Sequence, residues 1–244
     1  MGFLRYSVVY TSTQEKIKNI RKPWVKAIIG IDLMIGWILF YNIGNIERIH
    51  NYFWSHTGGI ARYLDAIISW IVSNPGGLKL NGPVNTTLST FFGYHIYLWT
   101  AFVNLLQSEM FTRLIICSFS FGLSYMSAVV CDFAKIITLH FYCFDSYASR
   151  LWNLSYIVIQ DLWALTRGKK WNPLRKRIDN VTLDSREQFL STSLFVILLF
   201  ILPTVLVYFV VFRTLRYCVS VIDISLSLLA RWPLVFTKLV IKRD

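Results

Sequence analysis

The sequence predicts an all-α fold, a polytopic bundle of about six transmembrane helices. Of its 244 residues, 55% are hydrophobic and only 16% are charged, which is too apolar for a soluble domain of this length. The run Phe189–Phe212 carries no charge and is long enough to cross the hydrocarbon core of a bilayer. Most Lys and Arg residues fall in three short segments that flank apolar stretches. Together these observations indicate an integral membrane protein.

The three basic segments are residues 1–26, 167–186 and 238–244. The net charge of +12 would also suit nucleic-acid binding, but a basic segment beside an apolar span is the pattern of the positive-inside rule. We therefore expect all three segments in the cytosol and no nucleic acid as a partner. The predicted organisation is a polar basic N-terminus (1–23), a membrane domain (24–236) that contains a basic cytosolic loop (166–188), and a basic tail (237–244).

Six stretches are expected to cross the membrane: 27–46, 88–106, 114–131, a segment within 133–163, 189–212 and 217–236. An even number returns the chain to the cytosol at the basic loop and again at the tail. Residues 66–72 are too short to span, so an interfacial or re-entrant helix is expected there. This topology puts the sequon at Asn85 in the lumen and the one at Asn180 in the cytosol.

Local signals mark the ends and interior of the predicted helices. Ser185 and Gln188 fit a capping box before the run Phe189–Phe212. Pro203, near the middle of that run, removes one helical hydrogen bond and is expected to kink the helix. Asp32 lies in an apolar run, where a carboxyl group normally faces protein rather than lipid.

A Pro/Gly loop precedes the second predicted span. The residues from 74 to 83 contain two prolines and three glycines, a composition that excludes a regular helix. A surface loop is the simpler interpretation. The alternative is a shaped element that contacts a partner subunit or a lipid headgroup, through Pro75, Gly76, Gly77, Leu78, Lys79, Leu80 and Asn81.

The segment 132–161 is apolar but contains several ionisable residues, among them Asp132, Lys135, His140, Asp145 and Arg150. Asp132 and Lys135 are three residues apart and can pair on one helix face. Such a pair could belong to a proton relay or to a contact that assembles the helices. His140, near Cys143, is expected to be a buried, hydrogen-bonded histidine rather than a metal ligand. We find no phosphate-binding loop or hydrolase motif and expect neither catalytic residues, nor a metal, nor a cofactor.

The basic loop holds the densest positive charge in the chain. Its simplest role is that of a topology signal. A functional role would be contact with anionic lipid headgroups or with a cytosolic domain of a partner, since each basic residue near an anionic surface contributes about 1 kcal/mol and a tryptophan anchors at the headgroup level. The residues are Arg167, Lys169, Lys170, Trp171, Arg175, Lys176 and Arg177.

Five motifs in order resemble one known family. They are Pro75 to Asn81, Gly93 to Trp99, Leu139 to Phe144, Arg167 to Arg177, and Leu198 to Thr204. The chain resembles the PIG-Q family over about residues 60–236, the Q subunit of phosphatidylinositol N-acetylglucosaminyltransferase.

The resemblance implies a non-catalytic, multi-pass subunit in the endoplasmic reticulum membrane. Its complex would transfer N-acetylglucosamine from UDP-N-acetylglucosamine to phosphatidylinositol, the first step of glycosylphosphatidylinositol anchor synthesis. The expected partners are the other subunits, including the catalytic one, and anionic lipid headgroups such as phosphatidylinositol. The alternative is an intramembrane enzyme or lipid transporter that uses the charges at 132–161.

Overall fold

The computed structural model describes residues 7–42, 46–74, 77, 79–107 and 109–241. Within these ranges the regular secondary structure is helical apart from one two-stranded hairpin, so the all-α prediction is confirmed. The helices are α1 Val8–Asn19, α2 Pro23–Asn42, α3 Ile46–Val72, α4 Gly82–Leu106, α5 Glu109–Ser118, α6 Leu123–Thr166 and α7 Ser185–Ile241, and the strands are β1 Lys169–Asn172 and β2 Arg177–Asn180.

Three of the described helices are long and apolar enough to cross a membrane. The qualifying segments are Val25–Asn42 in α2, Leu123–Thr166 in α6 and Ser185–Pro233 in α7. The prediction of six spans is therefore not confirmed. At about 1.5 Å per residue, the 44 residues of α6 and the 57 residues of α7 are each far longer than one crossing of a hydrocarbon core about 30 Å thick.

The predicted span 114–131 is wrong, because the helix is broken inside it. α5 ends at Ser118, a 3-10 turn covers Phe119–Phe121, and α6 begins at Leu123. Gly122 separates them with φ +104°, a conformation that only glycine adopts readily. A Cβ atom on Gly122 would lie 2.8 Å from Asp32 Oδ2, so the break follows from close packing against α2.

Two other predicted boundaries are absent. The segment 133–163 is not a separate span, because α6 runs from Leu123 to Thr166 without interruption. The final two predicted spans, 189–212 and 217–236, are likewise one helix, α7. Arg213 and Arg216 look like interruptions in the sequence. In the structure they reach a carboxylate on α6, so their charge is compensated without ending the helix.

Residues 66–72 are not a short interfacial helix. They form the last two turns of α3, a helix of 27 residues. Leu64, Ile68 and Ile71 are buried and stand at the spacing of one helix face. α3 therefore also includes the residues before 66, a segment of mixed polarity in which hydropathy alone did not indicate a helix.

The described chain forms two compact units. The first consists of Met1–Arg62, Leu98–His140 and Tyr217–Asp244, and the second of Tyr63–Tyr97 and Phe141–Arg216. In the first unit, a small core joins α1, α6 and α7 through Val8, Cys131 and Ala230. The Ser12 hydroxyl of α1 donates to the carbonyl oxygen of Ala230 at 3.2 Å, which ties α1 to α7.

The second unit is held by aromatic packing between α4, α6 and α7. The Phe92 ring lies 4.2 Å from that of Phe212 and 5.5 Å from that of Tyr208, measured between ring centroids. Phe144 of α6 completes the cluster, 5.8 Å from Phe212. All four side chains are buried. This packing fixes the part of α6 and α7 that leads into and out of the hairpin.

Candidate functional site at the basic hairpin

The predicted basic loop is folded as a β-hairpin between α6 and α7. Gly168 ends α6 with φ +67°, and its N–H donates to the carbonyl of Leu165 at 2.9 Å, as a glycine after a helix commonly does. Its carbonyl accepts from Val181 N–H at 2.8 Å, which closes the base of the hairpin. Strands β1 and β2 pair antiparallel, with Trp171 opposite Ile178.

Asn172 shapes the turn of the hairpin. Its Oδ1 atom accepts from the N–H groups of Leu174 and Arg175, at 3.0 and 3.2 Å, a side-chain turn typical of asparagine. Its Nδ2 atom donates to Asp179 on β2 at 2.8 Å. Lys176 completes the turn in the left-handed region, with φ +49°. Asn-Pro within a polar stretch is a sequence signal for this turn, whereas the charge pattern predicts only a basic loop.

The hairpin exposes apolar and basic groups together. Trp171 and Ile178 are neighbours on one face and are 57% and 61% exposed, and Leu174 at the tip is 94% exposed. The six basic residues predicted to make contacts are all exposed: Arg167, Lys169, Lys170, Arg175, Lys176 and Arg177. Apolar tips among cations suit a membrane surface or a protein partner.

Two of these cations have partners within the hairpin region. Arg177 Nε pairs with Asp179 Oδ1 at 2.9 Å, on the face opposite to Trp171. The Arg167 guanidinium lies over the Trp163 ring, 4.4 Å from its centroid, a cation–π contact at the end of α6.

A groove of about 620 Å³ lies between the end of α6 and the hairpin. Its volume is in the range of small-molecule sites. The lining residues are Val158, Asp161, Leu162, Ala164, Leu165, Lys169, Lys170, Trp171, Pro173 and Ile178. Three predicted contact residues, Lys169, Lys170 and Trp171, therefore line one concave surface.

The second predicted contact segment is described only in part. Pro75, Gly76 and Leu78 lie outside the described residues. Lys79 is exposed and Leu80 is buried. Asn81 links the segment to two helices, because its backbone N–H donates to Thr204 Oγ1 of α7 at 2.9 Å and its Oδ1 accepts from Val84 N–H at the start of α4. The first turn of α4 includes Gly82 and Pro83, which were expected to belong to the loop.

The predicted intramembrane polar residues are divided between the two compact units. Asp132 and Lys135 belong to the first compact unit and Asp145 and Arg150 to the second. Asp132 and Lys135 are 3.6 Å apart. The Asp132 carboxylate also accepts from Ser7 Oγ at 2.6 Å and from Val8 N–H at 2.8 Å, so it caps the N-terminus of α1 from another helix.

Asp145 is a helix–helix link. Its carboxylate is buried and pairs with Arg213 Nε at 3.0 Å and with Arg216 Nη1. Ser149, one turn later on α6, accepts from Arg213 Nη2 at 2.7 Å.

The remaining predicted polar residues are Arg150 and His140. Arg150 is exposed. His140 lies against Phe102, with ring centroids 5.2 Å apart. Among the described residues, no three His, Cys, Asp or Glu side chains are close enough together to hold a metal ion.

Two buried polar links were not predicted. Asp32 Oδ2 pairs with Lys16 at 3.3 Å, its Oδ1 accepts from Ser124 N–H at 3.0 Å, and the Ser124 hydroxyl contacts both side chains. The position of Asp32 in an apolar run indicated that its carboxyl group faces protein. It did not indicate the partners, Lys16 and Ser124, which are 16 and 92 residues away. The second link is buried Asn85, whose Oδ1 accepts from Tyr208 OH at 2.8 Å. A glycan on this asparagine is incompatible with the fold.

The N-cap of α7 also differs from the prediction. The helix begins at Ser185, so the preceding residue, Asp184, occupies the cap position. Its backbone N–H donates to Glu187 Oε2 at 3.3 Å, and its carbonyl accepts from Gln188 N–H at 2.9 Å. The capping box is therefore shifted by one residue, with Glu187 in place of Gln188.

Comparisons with known proteins converge on one family. A family model described as N-acetylglucosaminyl transferase component (Gpi1) matches residues 3–244. The chain is similar to phosphatidylinositol N-acetylglucosaminyltransferase subunit Q of Mus musculus, with 32% identity over 88% of the chain and 38% of the relative. It is also similar to the Homo sapiens subunit Q, with 37% identity over 70% of the chain and 23% of the relative.

The subunit GPI1 of Saccharomyces cerevisiae is 29% identical over 84% of the chain and 35% of that relative. The chain thus spans less than half the length of these curated relatives. No solved structure matches it.

Proposed function

The chain belongs to the Gpi1 family of N-acetylglucosaminyl transferase components, and from this membership we propose that it is a non-catalytic membrane subunit of a phosphatidylinositol N-acetylglucosaminyltransferase. In this role it takes part in the first step of glycosylphosphatidylinositol anchor synthesis, as a multi-pass protein of the endoplasmic reticulum membrane. It assembles and stabilises the complex, and its basic hairpin faces the cytosol. Its partners are the other subunits, including the one that carries out the transfer.

The observation that carries the assembly role is the contrast between the buried and the exposed charges. The buried carboxylates of Asp32 and Asp145 each join helices of the chain. The cations of the hairpin tip, Arg175 and Lys176, are exposed. Charges that hold a scaffold are buried and paired, whereas a surface that receives another protein presents accessible charge.

The alternative is an intramembrane enzyme or a lipid transporter that uses the charges at 132–161. Its key residues would have to work at one site. Asp132 and Asp145 are 13 residues apart on α6, about 20 Å at 1.5 Å per residue, and each carboxylate already accepts from groups that fix a helix. The helix contacts therefore support the assembly role over this alternative.

We expect the tagged full chain, purified from membranes in mild detergent, to recover the glycosyltransferase subunit. Replacing Arg175 and Lys176 by glutamate should lower that recovery, because carboxylates at the hairpin tip would repel a partner surface that binds cations. The matched control replaces Arg21 and Lys26, which are also exposed, and should leave recovery unchanged. Resistance to carbonate extraction checks that every variant is still inserted.

Two results would contradict the proposal. If the chain is recovered without any other membrane protein and the purified chain itself transfers N-acetylglucosamine, it is the enzyme. If the tip variant recovers the complex at the wild-type level, the tip is a topology signal and not a contact surface.

A further inference from the structure

We propose that the groove between the end of α6 and the hairpin binds one anionic phospholipid, with its phosphate at Lys169 and an acyl chain along α6. The groove itself carries the binding, and the identity of the headgroup, a phosphoinositol, rests on the proposed function. The ligand is a membrane lipid and not a free phosphate, because most of the lining is apolar.

The apolar wall is built by one face of α6. Val158, Leu162 and Leu165 line the groove and are four and three residues apart, so they lie one above the other on the same side of the helix. Trp171 and Ile178 provide the facing wall from the hairpin. An acyl chain that lies between these walls covers apolar surface, which is otherwise costly to leave in water.

One ammonium group in the groove can bind a phosphodiester. Successive side chains of a strand point to opposite faces, so Lys169 shares the hairpin face of Trp171, whereas Lys170 lies on the opposite face with Arg177. The Lys169 ammonium can donate to phosphate oxygens, and Asp161 also lines the groove. The carboxylate of Asp161 is an acceptor for the hydroxyl groups of a polyol headgroup, which distinguishes an inositol lipid from phosphatidic acid.

The groove is also at the level where a phospholipid headgroup is available. α6 is a candidate membrane span that ends at Thr166, three residues before Lys169. Trp171 lines the groove and remains 57% exposed, as expected of an aromatic ring at the boundary between headgroups and acyl chains. A lipid that enters from the adjacent leaflet therefore needs no aqueous route.

The test is native mass spectrometry of the purified full chain in detergent, titrated with phosphatidylinositol, phosphatidic acid and phosphatidylcholine of the same acyl composition. We expect one bound phosphatidylinositol, weaker phosphatidic acid binding and no saturable phosphatidylcholine binding. Replacing Lys169 by alanine should weaken phosphatidylinositol binding about fivefold, from about tenfold per 1.4 kcal/mol and about 1 kcal/mol for one basic residue.

Two further variants distinguish lipid binding in the groove from a general attraction of anionic lipids to a basic surface. Val158→Trp fills the apolar wall without a change of charge and should also abolish binding. The matched control removes Arg175 and Lys176, two cations outside the groove lining, and should weaken binding less than about twofold. Circular dichroism must show wild-type helicity for each variant.

Equal weakening by the groove and the tip variants, or displacement of the lipid by free inositol phosphate alone, would overturn the proposal. Retention of wild-type binding by Val158→Trp would do the same. These measurements use the chain without its partners. A failure here is therefore distinct from a failure to recover the complex, which would overturn the proposed function instead.

Discussion

At the residue scale, the tightest constraints are set by glycines and buried carboxylates that join helices. Gly36 of α2 is packed against the turn before α6, and a Cβ atom there would lie 2.7 Å from Gly122 Cα and would also collide with the carbonyl oxygen of Phe119. One turn away, Asp32 accepts from Ser124 N–H. Small residues that allow close helix approach, with a polar link beside them, are a common way to hold helices in a membrane.

Replacing Gly36 by alanine should therefore lower the free energy of unfolding by about 1–3 kcal/mol, as overpacking of a close contact does. Thermal denaturation in one detergent measures the change. Gly30, on the same helix, is the matched control, because nothing lies within 4 Å of a Cβ atom there. Its alanine variant should be unchanged or more stable, since alanine favours a helix over glycine by about 1 kcal/mol. Equal destabilisation of both variants would show that the contact with Gly122 is not what Gly36 provides.

At the element scale, the hairpin shows that a charged loop can be an ordered structure. Its basic residues were predicted as exposed contacts, but nothing in their charge indicated strands. The turn chemistry decides: Asn172 accepts two backbone N–H groups and bonds across to Asp179, and Gly168 and Lys176 take positive φ values. The strands in turn bring Trp171 beside Ile178, which places the aromatic ring in the wall of the groove.

Replacing Asn172 by alanine should loosen the hairpin by about 1–2 kcal/mol, because it leaves two turn N–H groups without their side-chain acceptor. Amide hydrogen exchange of β1 and β2 should then be about 5- to 30-fold faster. The matched control replaces Asn180, which is exposed at the other end of the strand pair, by alanine. In that variant the amides of β1 and β2 should exchange as in the wild-type chain. If the amides of β1 and β2 exchange as slowly in the Asn172 variant as in the wild-type chain, strand pairing and not the Asn172 side chain stabilises the turn.

At the scale of the whole molecule, the continuity of α6 and α7 replaces the predicted series of short spans. The sequence pattern places a boundary wherever a charge interrupts an apolar run. Where a charged side chain pairs with a group on another helix, as Arg213 does with Asp145, the helix continues through the charged position. Where a glycine adopts a positive φ, as Gly122 does, a break appears inside an uncharged run. Hydropathy therefore indicated apolar helices, three of which are long enough to cross a membrane among the described residues, but it could not locate their ends.

The continuity of α7 changes the expected position of the tail. A single uninterrupted helix crosses a bilayer no more than once, so an α7 that crosses leaves its two ends on opposite faces. We expect an epitope inserted at Leu174 to be digested by protease added to intact microsomes, and an epitope appended after Asp244 to be protected. Detergent, which should expose both, is the control. Digestion of both epitopes in intact microsomes would restore the two-span arrangement and place the basic tail in the cytosol.

By itself, the sequence determined that this is a helical membrane protein of the Gpi1 family with a dense basic segment before its most apolar run, because composition, charge position and ordered motifs are local properties of the chain. Only the tertiary structure decided where the helices break, that the basic segment is a hairpin, and that Lys169, Lys170 and Trp171 line a groove with the end of α6. These features depend on contacts such as Gly36 with Gly122 and Arg213 with Asp145. Their partners are separated by tens of residues, and no window of sequence contains both.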